Sequence, residues 1–161
     1  MSSDRFSRIF EPLQVGPISI RNRVMMPAMA TCFATGDGQV TDQMIRYYAR
    51  RAEGGAGLII VEATCVDTPT GLTLPHELCI DKDRYIPGLR RLAEGVKKYG
   101  ARIAIQLHHA GPKTHYQRGG TLVAPSVIPG THGPVRELSR EEIHTLVAKF
   151  ALGAKRAGQA G

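Results

Sequence analysis

The residue types best suited to chemistry stand at the end of one apolar run, Ile103-Ala-Ile-Gln-Leu-His-His-Ala-Gly111. Its abrupt turn into an amide, two imidazoles and a glycine predicts a buried strand whose C-terminal end opens into a site. Parallel α/β proteins hold ligands at the carboxyl ends of their strands, so Gln106, His108 and His109 occupy positions where function is expected. His108 and His109, with His115, could be taken for a metal cluster. Adjacent histidines on a strand point to opposite faces, however, and no carboxylate lies near them in sequence, so no metal site is expected. Gly54-Gly-Ala-Gly57 has the look of a dinucleotide loop but precedes a strand, whereas the phosphate-binding loop must follow one. P-loop, G-x-S-x-G and H-E-x-x-H motifs are absent from the sequence.

The elements that position these residues can be read in order. Phe10 to Ile20 forms two short alternating runs about Gly16-Pro17, a hairpin signal, and Val24-Met-Met26 is a short strand stopped by Pro27. A glycine-containing loop follows, as expected where an α/β protein keeps ligand contacts. Thr41 is an N-cap, and Ile45, Tyr48, Ala49 and Ala52 form the buried face of a helix ended by Gly54 and Gly55. Leu58-Ile-Ile-Val61 reads as a strand covered on both faces, changing character at Glu62, Ala63 and Thr64. A second loop spans Asp67 to Leu78. Tyr85, Leu89, Leu92 and Val96 make the next helical stripe, with Pro87 in its first turn and Gly100 as its stop. Beyond the strand at 103, residues 111–134 are expected to be mostly irregular. Ser139-Arg-Glu-Glu142 is a capping box, and Ile143, Leu146, Val147, Phe150 and Ala154 predict a third amphipathic face.

Strand, loop, helix and glycine exit thus recur three times, and the third exit, Arg156 to Gly161, is the end of the sequence. The expectation is a piece of a larger (β/α) protein cut before its fourth strand, about three eighths of a (β/α)8 barrel of about 250 residues. An open doubly wound sheet is the alternative.

The 161 residues suit one globular domain, 42% hydrophobic and 22% charged. No apolar run has the roughly 18 residues of a membrane helix, and no secretion signal is visible, so a cytoplasmic location is expected. Cys32, Cys65 and Cys79 are widely spaced and form no CxxC, which argues for reduced thiols. The net charge of +7 is spread over helix-like segments, not gathered on one basic face, so nucleic acid is not an expected partner.

Together, Phe10-Glu-Pro-Leu13, Asn22-Arg-Val24, Tyr48-Ala-Arg-Arg-Ala-Glu-Gly-Gly55, Gly57-Leu-Ile-Ile-Val-Glu-Ala63, Gln106-Leu-His-His-Ala-Gly111 and Leu122-Val-Ala-Pro-Ser126 with Glu137-Leu-Ser139 form a specific set. In this order and spacing the chain resembles the Old Yellow Enzyme superfamily of FMN-dependent NAD(P)H oxidoreductases. It most resembles the bacterial 2,4-dienoyl-CoA reductase and trimethylamine dehydrogenase branch.

The resemblance implies an α/β fold, the N-terminal part of a TIM (β/α)8 barrel with about three βα units and an N-terminal hairpin, and residues 1–161 as a fragment of one flavin-binding domain. It implies FMN as cofactor, NADH or NADPH as donor, and an electrophilic alkene or enoyl compound as substrate, reduced by hydride transfer through the flavin. Pro27, Ala28, Met29, Ala63 and Gln106 take the flavin-contacting positions, with Thr31 and His108 on the substrate side. Met29 departs from the Thr, Ser or Cys of many relatives, and Pro112 from a frequent Arg. The catalytic acid, and in the nearest branch the iron-sulfur ligands, are expected beyond residue 161. The competing expectation is a catalytically inactive half barrel that serves only as a structural or assembly fragment, for which a homo-oligomer is one way to cover the open sheet edge.

Overall fold

The computed structural model describes residues 6–114, 122–127 and 134–161. His115, most of the loop that contains it, and the first five residues lie outside the described part. After one helical turn, α1 (Ser7–Phe10), the hairpin forms as expected. β1 (Leu13–Val15) and β2 (Ile18–Ile20) pair antiparallel across Gly16, whose φ of +54° is the left-handed value that favours glycine.

The main sheet is parallel and centred on β4 (Leu58–Cys65). β6 (Arg102–His108) runs along one edge of β4, while β3 (Met25–Met26) and β5 (Leu78–Cys79) share the other, one at each end. Helices α2 (Asp42–Glu53), α3 (Ile86–Lys97) and α4 (Arg140–Ala160) complete the βα units. Their ends are where the local chemistry puts them: the Thr41 hydroxyl accepts from Met44 N at 3.2 Å, and Ser139 and Glu142 close the capping box. Among the described residues no helix is long and apolar enough to cross a membrane.

Burial sorts the two faces of the sheet. Ile59 and Val61 pack with Met44, Tyr48 and Ala52 of α2 and with Leu89, Leu92 and Val96 of α3, and Ile103, Ile105 and Leu107 lean on the same cluster. The other face of β6, Arg102, Ala104 and Gln106, is exposed. A parallel strand of this composition is ordinarily covered on both sides, so the uncovered face is the inner wall of a partial barrel.

Three expectations need correction. In α2 the buried stripe is Met44, Tyr48 and Ala52, with Ile45 and Ala49 only partly covered. In α4, Val147 is 62% exposed and Ala154 also faces outward. The contact line runs instead through Phe150, Gly153, Ala157 and Ala160, because Gly153 lets the helix close on Val66, Leu107 and Ile80, the nearest atom lying 3.1 Å from where a Cβ would be. Finally, residues 111–134, expected to be mostly irregular, also hold one short strand, β7 (Leu122–Ala124), paired parallel with β8 (Val135–Glu137) just beyond. Runs of three residues are too short to show a period.

Gly38 ties the loop after β3 to β5. Its carbonyl accepts from Cys79 N at 3.0 Å, its φ is +85°, and a Cβ there would collide with Cys79 Sγ and lie 2.7 Å from Cys79 Cβ. Gly38→Ala is expected to cost about 2–3 kcal/mol, left-handed strain of ~1–2 plus overpacking of ~1–3 partly relieved by local shifts. A urea-unfolding midpoint equal to that of the wild type would contradict this.

Candidate functional site

Three strand ends converge at the carboxyl edge of the sheet. β3 stops at Pro27, which has no N–H for a ladder, and the chain leaves the sheet through Ala28 and Met29. Pro27 is exposed, Ala28 half-buried and Met29 51% exposed.

β4 reaches the same edge by way of a bulge. Ile60 pairs with Ala104 and Val61 with Ile105, but the register then skips Glu62, so that Ala63 pairs with Gln106. One inserted residue reverses which face the following side chains take. Ala63, which strict alternation would turn toward the helices, therefore joins Gln106 on the open face. The Gln106 side chain is exposed and makes no hydrogen bond among the described residues.

The skipped residue, Glu62, turns inward and is 1% exposed. Its backbone N–H donates to the Tyr48 hydroxyl at 3.0 Å, and that hydroxyl donates to Glu62 Oε2 at 2.9 Å. Thr31 adds its hydroxyl at 2.6 Å and its N–H at 3.1 Å to the same oxygen. Burial pushes the Glu62 carboxyl above its usual range, and the bonds from Thr31 and Tyr48 pull the other way without cancelling it. Burial likewise pushes the Tyr48 phenol up. The network moors the loop after β3 to the bulge in β4, and the Thr31 hydroxyl is engaged in it.

His108, the last residue of β6, and His109, just past it, diverge. His108 Nδ1 lies 3.2 Å from Oε1 of Glu77, a carboxylate whose Oε2 accepts from Thr73 N at 2.6 Å and Leu74 N at 3.1 Å. Ala30, Cys32, Glu62, Ala63, Glu77 and His108 are among the walls of a cavity of about 110 Å³ beside the open face. Cys32 and His76 have φ of +57° and +55°, strained values for residues with side chains and more frequent at functional sites than elsewhere. The Cys32 thiol is pushed above its ordinary value by desolvation at the cavity wall and then by Glu62 and Glu77, so it stays protonated and is a poor nucleophile.

His109 serves the other side. Its Nδ1 accepts from Gly111 N at 3.0 Å, which leaves the proton on Nε2, 3.7 Å from Asp67 Oδ2. Asp67 also takes Lys149 Nζ at 2.6 Å and the Thr70 hydroxyl at 2.9 Å, tying the loop after β4 to α4. Burial alone would raise this carboxyl, but the nearby His109 Nε2 and the bonds from Lys149 and Thr70 outweigh it and hold it well below the usual carboxylate range. An aspartate depressed below its unfolded value of about 3.9 stabilises the fold above that pH and loses the contribution as pH falls through the folded value. The stability gap between wild type and Asp67→Asn, read by urea unfolding, should therefore shrink from about pH 6 to about pH 3. A constant gap would contradict it.

A larger cavity, about 420 Å³, lies between this loop, β7, β8 and α4, but its charges are already matched, Arg136 with Glu142 and Lys149 with Asp67. Pattern reading noted Glu62 only as a change of character and passed over Glu77. A carboxylate inside an apolar strand was a usable signal for the first; Glu77 meets its partner across 31 residues and had none.

Residues 8–161 match the family model described as NADH:flavin oxidoreductase / NADH oxidase family. The chain is 44% identical over 158 residues to an NADH oxidase of Thermoanaerobacter brockii, covering 94% of itself and 24% of that protein. It is 37% identical to an NADPH dehydrogenase of Clostridium acetobutylicum, covering 96% of itself and 45% of the relative. The old yellow enzyme homologue from Zymomonas mobilis superposes with a TM-score of 0.86 at 33% identity, over 95% of this chain and 46% of that structure. The chain thus spans from about a quarter to just under a half of the length of these three proteins. Matched along nearly its whole length and folded as the hairpin and first βα units of a TIM barrel, it belongs to the NADH:flavin oxidoreductase / NADH oxidase family of the Old Yellow Enzyme superfamily.

Proposed function

We propose that residues 1–161 are the N-terminal portion of one flavin-binding barrel domain, and that the whole protein is an FMN-dependent NAD(P)H oxidoreductase of the ene-reductase type. The observation that carries this reading is the pairing of Ala63 with Gln106 on the open face, beside the loop from Pro27 to Met29.

The residues suit the cofactor. The pyrimidine edge of an isoalloxazine offers carbonyl acceptors and one N–H donor, and the Gln106 carboxamide, unbonded among the described residues, can answer both. Ala63 leaves room for a flat ring at the strand end. Pro27 and Ala28 present backbone to it, and Met29 supplies a flexible, polarisable thioether that cannot donate a hydrogen bond. When bound, FMN supplies hydride carriage from the nicotinamide to an electron-poor alkene or enoyl substrate. The part of these residues is to hold and orient the ring, with Thr31 and His108 toward the substrate. Relatives named for NADH and for NADPH support either donor.

The test is made on the protein expressed from its complete reading frame. It should purify yellow with one FMN per barrel and oxidise NADH or NADPH when an activated alkene is added without oxygen. A colourless product that neither takes up added FMN nor consumes either donor would overturn the reading.

A further inference from the structure

The cavity beside Ala63 has an uneven chemistry. Its ionisable walls are two carboxylates, an imidazole and a thiol, and among the described residues neither lysine nor arginine lines it. The side chain of Glu77 is only 3% exposed and is held in place by two backbone N–H groups, which leaves Oε1 to His108. A carboxylate can only accept, so the imidazole proton sits on Nδ1, and in the neutral ring Nε2 is left as an acceptor on a side chain that is 29% exposed. Among the described walls the charged and imidazole groups thus face the cavity as acceptors, with the Thr73 hydroxyl and the Cys32 thiol as the side-chain groups able to donate.

The walls are also rigidly built. The left-handed residue His76 precedes Glu77 and is pinned by its Nδ1, 3.1 Å from Ala34 O, while the left-handed Cys32 forms the facing wall. Strain at one wall residue, Cys32, and at the neighbour of another, Glu77, marks a shape maintained against its own cost. At about 110 Å³ the space equals three to four liquid waters at about 30 Å³ each, enough for a group of three heavy atoms.

We propose that this cavity is a specificity subsite for an uncharged, hydrogen-bond-donating head group, a primary carboxamide, and that the Glu77–His108 pair excludes the isosteric carboxylate. The proposal rests on the flavin-site reading above, since it places the subsite at the rim of that site. A carboxamide N–H finds acceptors on His108 and the glutamates. A carboxylate entering the same space meets fixed negative charge in a partly water-excluded setting, the repulsive element by which sites reject a near-isostere.

The test titrates benzamide and benzoate against the oxidised, FMN-loaded protein from its complete reading frame, following the flavin absorbance. Benzamide should bind about tenfold or more tightly than benzoate, because like-charge juxtaposition in a partly buried site costs at least that much. Glu77→Gln, which keeps an acceptor for Thr73 and Leu74, should tighten benzoate and bring the ratio near one. His108→Leu, which removes the Nε2 acceptor but leaves Glu77, should weaken benzamide and not rescue benzoate; it also serves if Glu77→Gln fails to fold. A yellow protein whose ratio is unmoved by the variants overturns the subsite alone. A protein that takes no FMN overturns the flavin reading and the subsite with it.

Discussion

Gln106→Leu is expected to weaken FMN binding by about tenfold to a hundredfold while leaving the fold intact. Two neutral hydrogen bonds at ~1 kcal/mol each are lost, and 1.4 kcal/mol is tenfold in an equilibrium constant. The stability side follows from the side chain's position: it is exposed and makes no bond among the described residues, so its loss should move the unfolding free energy by no more than about 0.5 kcal/mol. Leucine keeps an apolar branched side chain, one atom shorter, without the amide. Gln106→Glu keeps acceptors but loses the donor, and should fall between the two. Fluorescence titration of apoprotein with FMN measures all three, with urea unfolding as the companion. An unchanged Kd for Gln106→Leu would remove Gln106 from the flavin site. Weaker binding accompanied by a large stability loss would show that the residue acts through the fold.

Glu62→Ala should be the most damaging single change in the described part of the chain, at about 3–5 kcal/mol. It strands three buried or part-buried donors, the Tyr48 hydroxyl, the Thr31 hydroxyl and the Thr31 N–H, at ~1–3 kcal/mol for each left unsatisfied. Glu62→Gln retains an acceptor and should lose far less. The two variants separate the bonds from the charge. Because burial raises the Glu62 carboxyl above its unfolded value of about 4.3, its contribution is present below that pH and is lost as pH rises through the folded value. Glu62→Gln should accordingly show a flatter stability profile above about pH 4 than the wild type. This is opposite in sign to Asp67, whose contribution disappears toward acid. If Glu62→Ala unfolds at the same urea concentration as the wild type, the mooring of the β3 loop does not depend on this carboxylate.

The network also connects stability to the site. Thr31 follows Met29 by two residues, and its two bonds to Glu62 hold the loop that carries Pro27, Ala28 and Met29 against β4. Loss of Glu62 should therefore weaken FMN binding in proportion to the loosening of that loop, whereas loss of Gln106 acts without it.

What the sequence by itself determined is what local chemistry controls. The hairpin at Gly16, the caps at Thr41 and Ser139, the glycine exit at Gly100 and the change of character at Glu62 to Thr64 and at Gln106 each depend on a few neighbouring residues and were legible as such. The divergence of His108 and His109 was expected from the two-residue period of a strand, and it is seen although the strand ends at His108. Tertiary structure alone decided the rest. The bulge at Glu62 reverses the face of Ala63, and it exists because Tyr48, from a different element, supplies an acceptor for the freed N–H and a donor for the carboxylate. The contact line of α4 moved off Val147 and Ala154 because Gly153 meets Leu107 of β6 and the residues just past β4 and β5, Val66 and Ile80. Glu77 reaches His108 only once two separate loops and strands are in register. Each of these depends on partners tens of residues away, whose energies no local window of sequence contains, and together they turn a polar strand end into a shaped site.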